Sequence, residues 1–280
     1  VKLSGGTFTI IKSNGDRKLA DLLAEGAAYY GASDNQAVTN DGVNTLENVK
    51  VVSHTHDGGK DGKGTCSICG KQMAASLTVG GTTSWYLTLD AAIKAVNEGN
   101  GEKTLKLYQD VKTDAPSYEL THGPVTLDVN GKKASGLIIT IKGIQLTVTG
   151  TGTIRDVTAS GSSAVVKNST VNINYITAEN GGRLELGGGS YMGLTVKNDG
   201  SSASLSGGTY KKIEWGKLYV PANEYLADGY GYKTSEGTWD DGTSSVDNVT
   251  VTPAPISTTL GLIPYSVHFS YTAGSKPILN

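Results

Sequence analysis

Positions nineteen residues apart, Val129, Val148, Lys167, Leu186 and Leu205, form a line in which four of the five side chains are aliphatic. Around them, Leu146-Thr147-Val148-Thr149-Gly150, Leu184-Glu185-Leu186-Gly187-Gly188 and Ala203-Ser204-Leu205-Ser206-Gly207 each alternate apolar with polar before a glycine. Such runs are short strands with one buried face, and the glycines allow the positive φ that a tight corner requires. A strand-and-corner unit of about twenty residues cannot bury its apolar face alone, whereas stacked units share a continuous core. The spacing predicts an all-β fold: a right-handed parallel β-helix of about five to seven coils, from about Leu105 to Val220.

A longer period lies over the short one. Ser4-Gly5-Gly6-Thr7-Phe8 returns as Ser206-Gly207-Gly208-Thr209-Tyr210, Leu23-Ala24-Glu25-Gly26 as Leu226-Ala227-Asp228-Gly229, and Asn48-Val49-Lys50-Val51 as Asn248-Val249-Thr250-Val251. All three matches keep their order at an offset of roughly two hundred residues, the signature of an array cut so that the tail of one repeat precedes a complete copy. Residues 1–52 then read as the last coil and C-terminal cap of a preceding repeat, 53–76 as a linker, 77–252 as the β-helix repeat, and 253–280 as a further linker with the start of another β module. In that last segment Pro253-Ala254-Pro255 is stiff and extended, and Tyr265, Val267, Phe269 and Tyr271 alternate with Ser266, His268 and Ser270 as one strand.

The ends of a β-helix expose strand edges and an open core, so both need covering. Leu87 to Val96 places apolar residues at helical spacing, with Thr88 at the N-cap and Gly99 beyond the end, and predicts an N-terminal capping helix. At the other end Tyr225, Leu226, Tyr230 and Tyr232 supply side chains large enough to close a core.

Charge narrows the function classes. The 24 basic and 26 acidic residues are scattered singly and make no run able to neutralise several phosphates, which argues against a nucleic-acid partner. No stretch of about 18 apolar residues occurs, so no membrane span is expected in this sequence. It starts at Val1 without a charged leader and an apolar segment, so an export signal would lie outside it; a cytosolic protein remains the other reading.

Two cysteines, paired as Cys66-Ser67-Ile68-Cys69, are too few for a disulfide framework. His54-Thr55-His56 stands close upstream, and the residues between include Gly58, Gly59, Gly62 and Gly64, which let the two pairs turn toward each other. Two imidazoles and two thiolates fill a tetrahedral zinc shell and leave no position for water, so His54, His56, Cys66 and Cys69 predict a structural zinc site that orders a glycine-rich linker. A redox-active thiol pair, a disulfide, or free thiols beside unrelated histidines remain open.

Catalytic machinery is not evident. There is no nucleophile elbow, phosphate-cradling loop, metalloprotease helix or dinucleotide fingerprint, and His122 and His268 stand alone. β-Helices house polysaccharide lyases and hydrolases, for which Asp128, Arg155, Asp156, Glu179 and Glu185 are the available groups. In the nineteen-residue register Asp128 and Glu185 fall in phase three coils apart, roughly 14 Å, too far for a glycosidase pair separated by about 5 to 9.5 Å. Arg155-Asp156 reads as a surface ion pair. The expectation is no enzyme, with a polysaccharide-active β-helix enzyme as the alternative. A binding module would instead display Tyr175, Tyr191, Tyr210 and Trp215 on one face, and a pure spacer would display nothing in particular.

The helix before a Leu-Lys-Leu-Tyr strand (Leu105 to Tyr108), the Ser-Gly-Gly-Thr-aromatic coils, the Leu-Ala-acid-Gly segments and the His-Thr-His and Cys-Ser-Ile-Cys linker together resemble the repeat regions of large secreted or wall-anchored surface proteins of Gram-positive gut bacteria. The resemblance covers most of Val1 to Val251. It implies a pectate-lyase-like β-helix, secretion or cell-wall localisation, and a role in adhesion, with host glycans or glycoproteins as partners or, alternatively, immunoglobulin. It carries over no ligand-contacting residue.

Overall fold

Short runs rich in β-branched and aromatic residues open the chain, and they pair as β-propensity and alternation dictate. β1 (Gly6–Lys12), β2 (Ala27–Gly31) and β3 (Thr45–Ser53) form an antiparallel sheet in the order β1-β3-β2. This computed structural model describes residues 2–254 apart from 15–16, 25, 39–42, 60–61, 215–220, 241 and 243–244. The strand expected around Tyr265, together with Trp215 and the segment leading to Val220, lies outside the described residues.

β4 (Ala75–Val79) and β5 (Thr82–Tyr86) make a hairpin, and α1 (Leu89–Val96) follows. Thr88 Oγ1 accepts a hydrogen bond from Ala91 N at 3.3 Å, so the expected N-cap is present, and Gly99 takes a positive φ of 78° just past the helix. Ala92, Ile93 and Val96 of α1 are buried in the core that β4 and the first coils share.

A β-solenoid of about six turns occupies the middle of the molecule. Its strands are β6 (Lys103–Leu107), β7 (Ser117–Leu120), β8 (Val125–Asp128), β9 (Lys132–Lys142), β10 (Gln145–Thr149), β11 (Gly152–Ser160), β12 (Val165–Asn168), β13 (Asn172–Glu179), β14 (Arg183–Val196) and β15 (Ser202–Ile213). The coil-to-coil pairings among them are parallel. Three inward columns run along the stack. One is Leu105-Leu127-Val148-Asn168-Leu186-Leu205, the second Ala134-Ile154-Ile173-Tyr191-Tyr210, and the third Tyr118-Ile139-Val157-Ile176-Leu194-Ile213.

The first column corrects the nineteen-residue line. Its steps are 22, 21, 20, 18 and 19 residues, because the corners between strands differ in length. Leu127, not Val129, stands opposite Val148, and Asn168, not Lys167, occupies the next inward position. Lys167 points outward and pairs with Glu185 at 3.1 Å. Buried Asn168 is satisfied: its amide nitrogen donates to Val171 O at 2.8 Å and to Tyr191 Oη at 2.6 Å, and its oxygen accepts from Val171 N at 3.1 Å.

Antiparallel strands close the solenoid at both ends. β4 pairs with β6; at the far end β16 (Tyr230–Thr234) and β17 (Trp239–Asp240) pair with each other, and β18 (Val246–Pro253) lies between β16 and β15. Tyr225 and Tyr232 are fully buried there, and the Tyr232 hydroxyl donates to the Ala222 carbonyl.

The same pairing occurs near the N-terminus. Thr7 opposes Lys50 and Phe8 opposes Val49, as Thr209 opposes Thr250 and Tyr210 opposes Val249. Leu3 bridges Leu23 in parallel, as Leu205 bridges Leu226. Tyr29 opposes Val51 and donates to Leu19 O at 3.0 Å, as Tyr232 opposes Val251 and donates to Ala222 O. Asn48 and Asn248 both adopt positive φ, 49° and 53°, where each strand skips a partner.

Candidate metal centre

His54 lies just beyond the end of β3, where its backbone N–H donates to Gly26 O at 2.8 Å and so anchors the segment leading to His56. Cys66 and Cys69 lie on a tight turn held by Cys66 N to Lys71 O and Gly70 N to Cys66 O, both 2.9 Å, with Gly70 at φ 69°. Thr65 and Gln72 close the turn as an antiparallel bridge. The Asp57 carboxylate joins the two halves, accepting from Ser67 N at 2.7 Å and Gly59 N at 3.3 Å and from the Ser67 hydroxyl. Burial alone would raise the Asp57 pKa, but the Ser67 hydroxyl and the two N–H donors outweigh it and hold the carboxyl below its usual range. The sequence does not single out Asp57, since an isolated aspartate beside glycines gives no sign of what it will hold.

This frame brings together all four residues expected to be ligands. One ligand atom from each of His54, His56, Cys66 and Cys69 lies within 4.8 Å of all the others. His54 Nε2 is 3.4 Å from Cys66 Sγ, and His56 Nδ1 is 3.6 Å from Cys69 Sγ. Around a tetrahedral ion with bonds of about 2.0 to 2.3 Å, neighbouring donors stand about 3.3 to 3.8 Å apart, which both nitrogen–sulfur distances match. The cysteines are free thiols, not a disulfide. The cluster can therefore hold a metal ion.

Burial sets the charge state of the ligands. Burial lowers the His54 pKa against the opposing pull of the Gly26 backbone and Asp57, so the imidazole is neutral near pH 7 and its lone pair is available. Burial, opposed by a hydrogen bond from the Lys71 backbone and assisted by neighbouring Cys66, pushes the Cys69 thiol up to about 12. A bare thiolate is thus costly here, and a dication is the counter-charge that removes the cost.

The glycines expected to supply flexibility have a second role. A Cβ on Gly58 would lie 1.9 Å from the Trp85 ring, and one on Gly64 would lie 2.5 Å from that of Tyr108. Both aromatic rings, 5.0 Å apart, thus pack directly on the loop. Cys66, Cys69 and Met73 are buried in one core with Leu19, Leu23, Tyr29 and Val51, against which Trp85 and Leu87 also pack. Lys71 Nζ donates to Ala24 O at 3.2 Å, and Gln109 Nε2 donates to Gln72 O at 2.8 Å. The knuckle therefore touches the N-terminal sheet on one side and the first coil on the other.

No protein-family model matches the chain, and no curated protein or solved structure matches it.

The carboxylates considered for catalysis are dispersed. Glu185 sits in a row with Lys167, Thr147 and Thr126, whereas Asp128 sits two residues further along its strand and pairs with Lys106 at 3.1 Å. The in-phase relation expected from the nineteen-residue spacing does not hold, and two residues of strand plus three coils separate the pair by roughly 16 Å. Glu185 is held by Lys167 and Arg183, each at 3.1 Å. Asp156 and Glu179 belong to another face, four residues apart along adjacent strands, or roughly 14 Å. Asp156 approaches Arg155 at 3.5 Å but is only partly exposed, and its enclosed Oδ1 has no hydrogen bond among the described residues. Burial raises its pKa despite the arginine. His122 hydrogen-bonds Thr121 Oγ1 at 2.9 Å.

The tyrosine face also needs correction. Tyr191 and Tyr210 are buried, stacked on each other at 4.8 Å, and their hydroxyls donate to the Gly188 and Gly207 carbonyls. They pair with each other in the second inward column, just after the irregular stretch of register around Gly187. Tyr175 alone of the three is displayed, at 57% exposure.

Proposed function

We propose that this chain is a non-catalytic segment of a tandem array of β-solenoid modules, in which His54, His56, Cys66 and Cys69 bind one structural zinc ion at the joint between modules. The array would serve as a stiff spacer presenting its outer faces from a secreted or wall-anchored surface protein. The observation that carries the proposal is the four-ligand cluster set in a core shared by the N-terminal sheet, the linker and the Trp85 hairpin. A fully occupied His2Cys2 shell has no open position for substrate or water, so such an ion stabilises and does not catalyse. The matched pairings at the two ends support tandem repetition, with α1 as the cap of the complete module. The pairing of carboxylates with cations, and their spread over two faces, supports the absence of catalysis.

Elemental analysis of protein purified without chelator should find one zinc per chain, and cobalt substitution should give the absorption of a tetrahedral thiolate site. Protein that contains no metal and takes up none at micromolar zinc refutes the metal joint. Incubation with uronate-containing and host glycans should release neither unsaturated products nor reducing ends. Turnover abolished by Asp156→Ala or Glu185→Ala would establish the enzyme reading instead.

A further inference from the structure

The molecule contains the same closing arrangement twice, once covered and once bare. In the second copy, the corner and strand from Leu205 to Ile213 are overlaid by the coil Arg183–Val196: Leu186 opposes Leu205, Tyr191 opposes Tyr210 and Leu194 opposes Ile213. Leu205, Tyr210 and Ile213 are consequently fully buried. In the first copy the equivalent residues are Leu3, Phe8 and Ile11. Leu3 and Phe8 are only partly buried, while Ile11 is already buried, and with Leu22 they line an open groove of about 320 Å³ that Ile10 and Lys12 also border. No described ring stacks on Phe8, whereas Tyr210 has Tyr191 lying nearly parallel at 4.8 Å.

The glycines make the comparison sharper. Gly207 has to be glycine because a Cβ there would lie 2.3 Å from the Gly187 carbonyl oxygen of the overlying coil. Its counterpart Gly5 has no such neighbour, since the nearest atom to a Cβ is the Val51 carbonyl oxygen at 3.9 Å. Gly5 also needs no left-handed backbone, unlike Gly6 at φ 113°. Within this chain a small side chain fits at position 5. Gly5 is thus smaller than its own surroundings in this chain require, whereas the equivalent Gly207 is kept small by the coil stacked on it.

We infer, resting on the array proposed above, that the face formed by Leu3, Gly5, Phe8 and Ile11 receives a parallel β-solenoid coil from an upstream segment of the same polypeptide. That coil would place a glycine-rich corner over Gly5, an aromatic ring over Phe8 and aliphatic residues over Leu3 and Ile11. A second copy of the chain offers no free rung for this, because antiparallel strands β4 and β18 occupy both ends of its described solenoid. The required register follows from the internal match: position 203 is equivalent to position 1, so a copy of residues 77–202 joined directly ahead of Val1 continues the stack.

The test compares the full chain with the full chain extended in this way. Amide hydrogen exchange in β1 should slow by at least about tenfold in the extended chain, as pairing on the second strand edge removes local opening. Gly5→Val should leave the melting temperature of the parent chain unchanged and lower that of the extended chain. One residue inserted at the junction should abolish the protection, because a one-residue slip turns every side chain to the opposite face. Unchanged exchange in β1, added coils that melt independently, or equal effects of Gly5→Val in both chains would overturn the inference, as would a parent chain that buries β1 by dimerising. Zinc content measured on the same samples reports on the metal joint separately, so failure of one is distinguishable from failure of the other.

Discussion

Asn168 is the most informative position for the coil register, because it places an amide in a column of aliphatic residues. Replacing it with leucine nearly keeps the size but leaves Val171 N, Val171 O and the Tyr191 hydroxyl without the partner they have in the native chain. A buried polar group left unmatched costs about 1 to 3 kcal/mol. Tyr191 still donates to Gly188 O, so the N–H and C=O of Val171 carry most of the loss. Two such groups sum to about 4 kcal/mol, and burying a leucine returns about 2 kcal/mol, for a net destabilisation of about 2 kcal/mol. In a domain of this size that is a fall in melting temperature on the order of 5 °C. Lys167→Leu should behave differently: the lysine points outward, and its loss removes one partly exposed ion pair worth about 1 kcal/mol or less. Thermal unfolding followed by circular dichroism on both variants decides the matter. A stabilising Lys167→Leu together with a harmless Asn168→Leu would refute the register and restore the strict nineteen-residue line.

Three further outcomes are expected. Cys69→Ser should abolish zinc retention and lower the melting temperature, with amide exchange accelerating first around 64–73 and in β3; chelation of the native chain should reproduce this, measured by elemental analysis and exchange. Gly64→Val should disturb the loop that carries Cys66 and Cys69 without changing a ligand, because its Cβ meets the Tyr108 ring at 2.5 Å and its φ of 80° strains a β-branched residue, and should weaken zinc affinity in a competition titration. Asp156→Asn should raise the melting temperature at pH 7. Burial raises the Asp156 pKa in the folded chain, so the folded state binds the proton more tightly than the unfolded state, and this group's contribution falls as pH rises from the unfolded value through the raised one. The asparagine variant should lack that acid-range slope in a pH series of melts.

What could be read from the sequence divides along a physical line. Leu184, Leu186 and Leu205 announce strands because alternation is a local property, and Cys66 and Cys69 beside His54 and His56 announce a site because ligand chemistry is carried by residue type. The column assignments of Lys167 and Val129 failed because they required counting through corners, whose lengths no local pattern fixes. Tyr191 and Tyr210 read as displayed side chains because a tyrosine suits either a surface or a core that offers its hydroxyl a partner, and the Gly188 and Gly207 carbonyls that decide the question belong to backbone. Asp57 is illegible for the same reason: two of its partners are backbone N–H groups placed by a turn, which residue identity does not encode. Glycine is the residue whose meaning changes most once neighbours are known. Gly58 and Gly64 look like hinges in sequence, yet an aromatic ring from the following hairpin or first coil lies against each, and Gly64 in addition holds a left-handed φ of 80°. A hinge would leave both glycines free of neighbours, whereas Gly58 and Gly64 let the Trp85 and Tyr108 rings close on the loop that carries Cys66 and Cys69, so their smallness serves packing against the metal-ligand core.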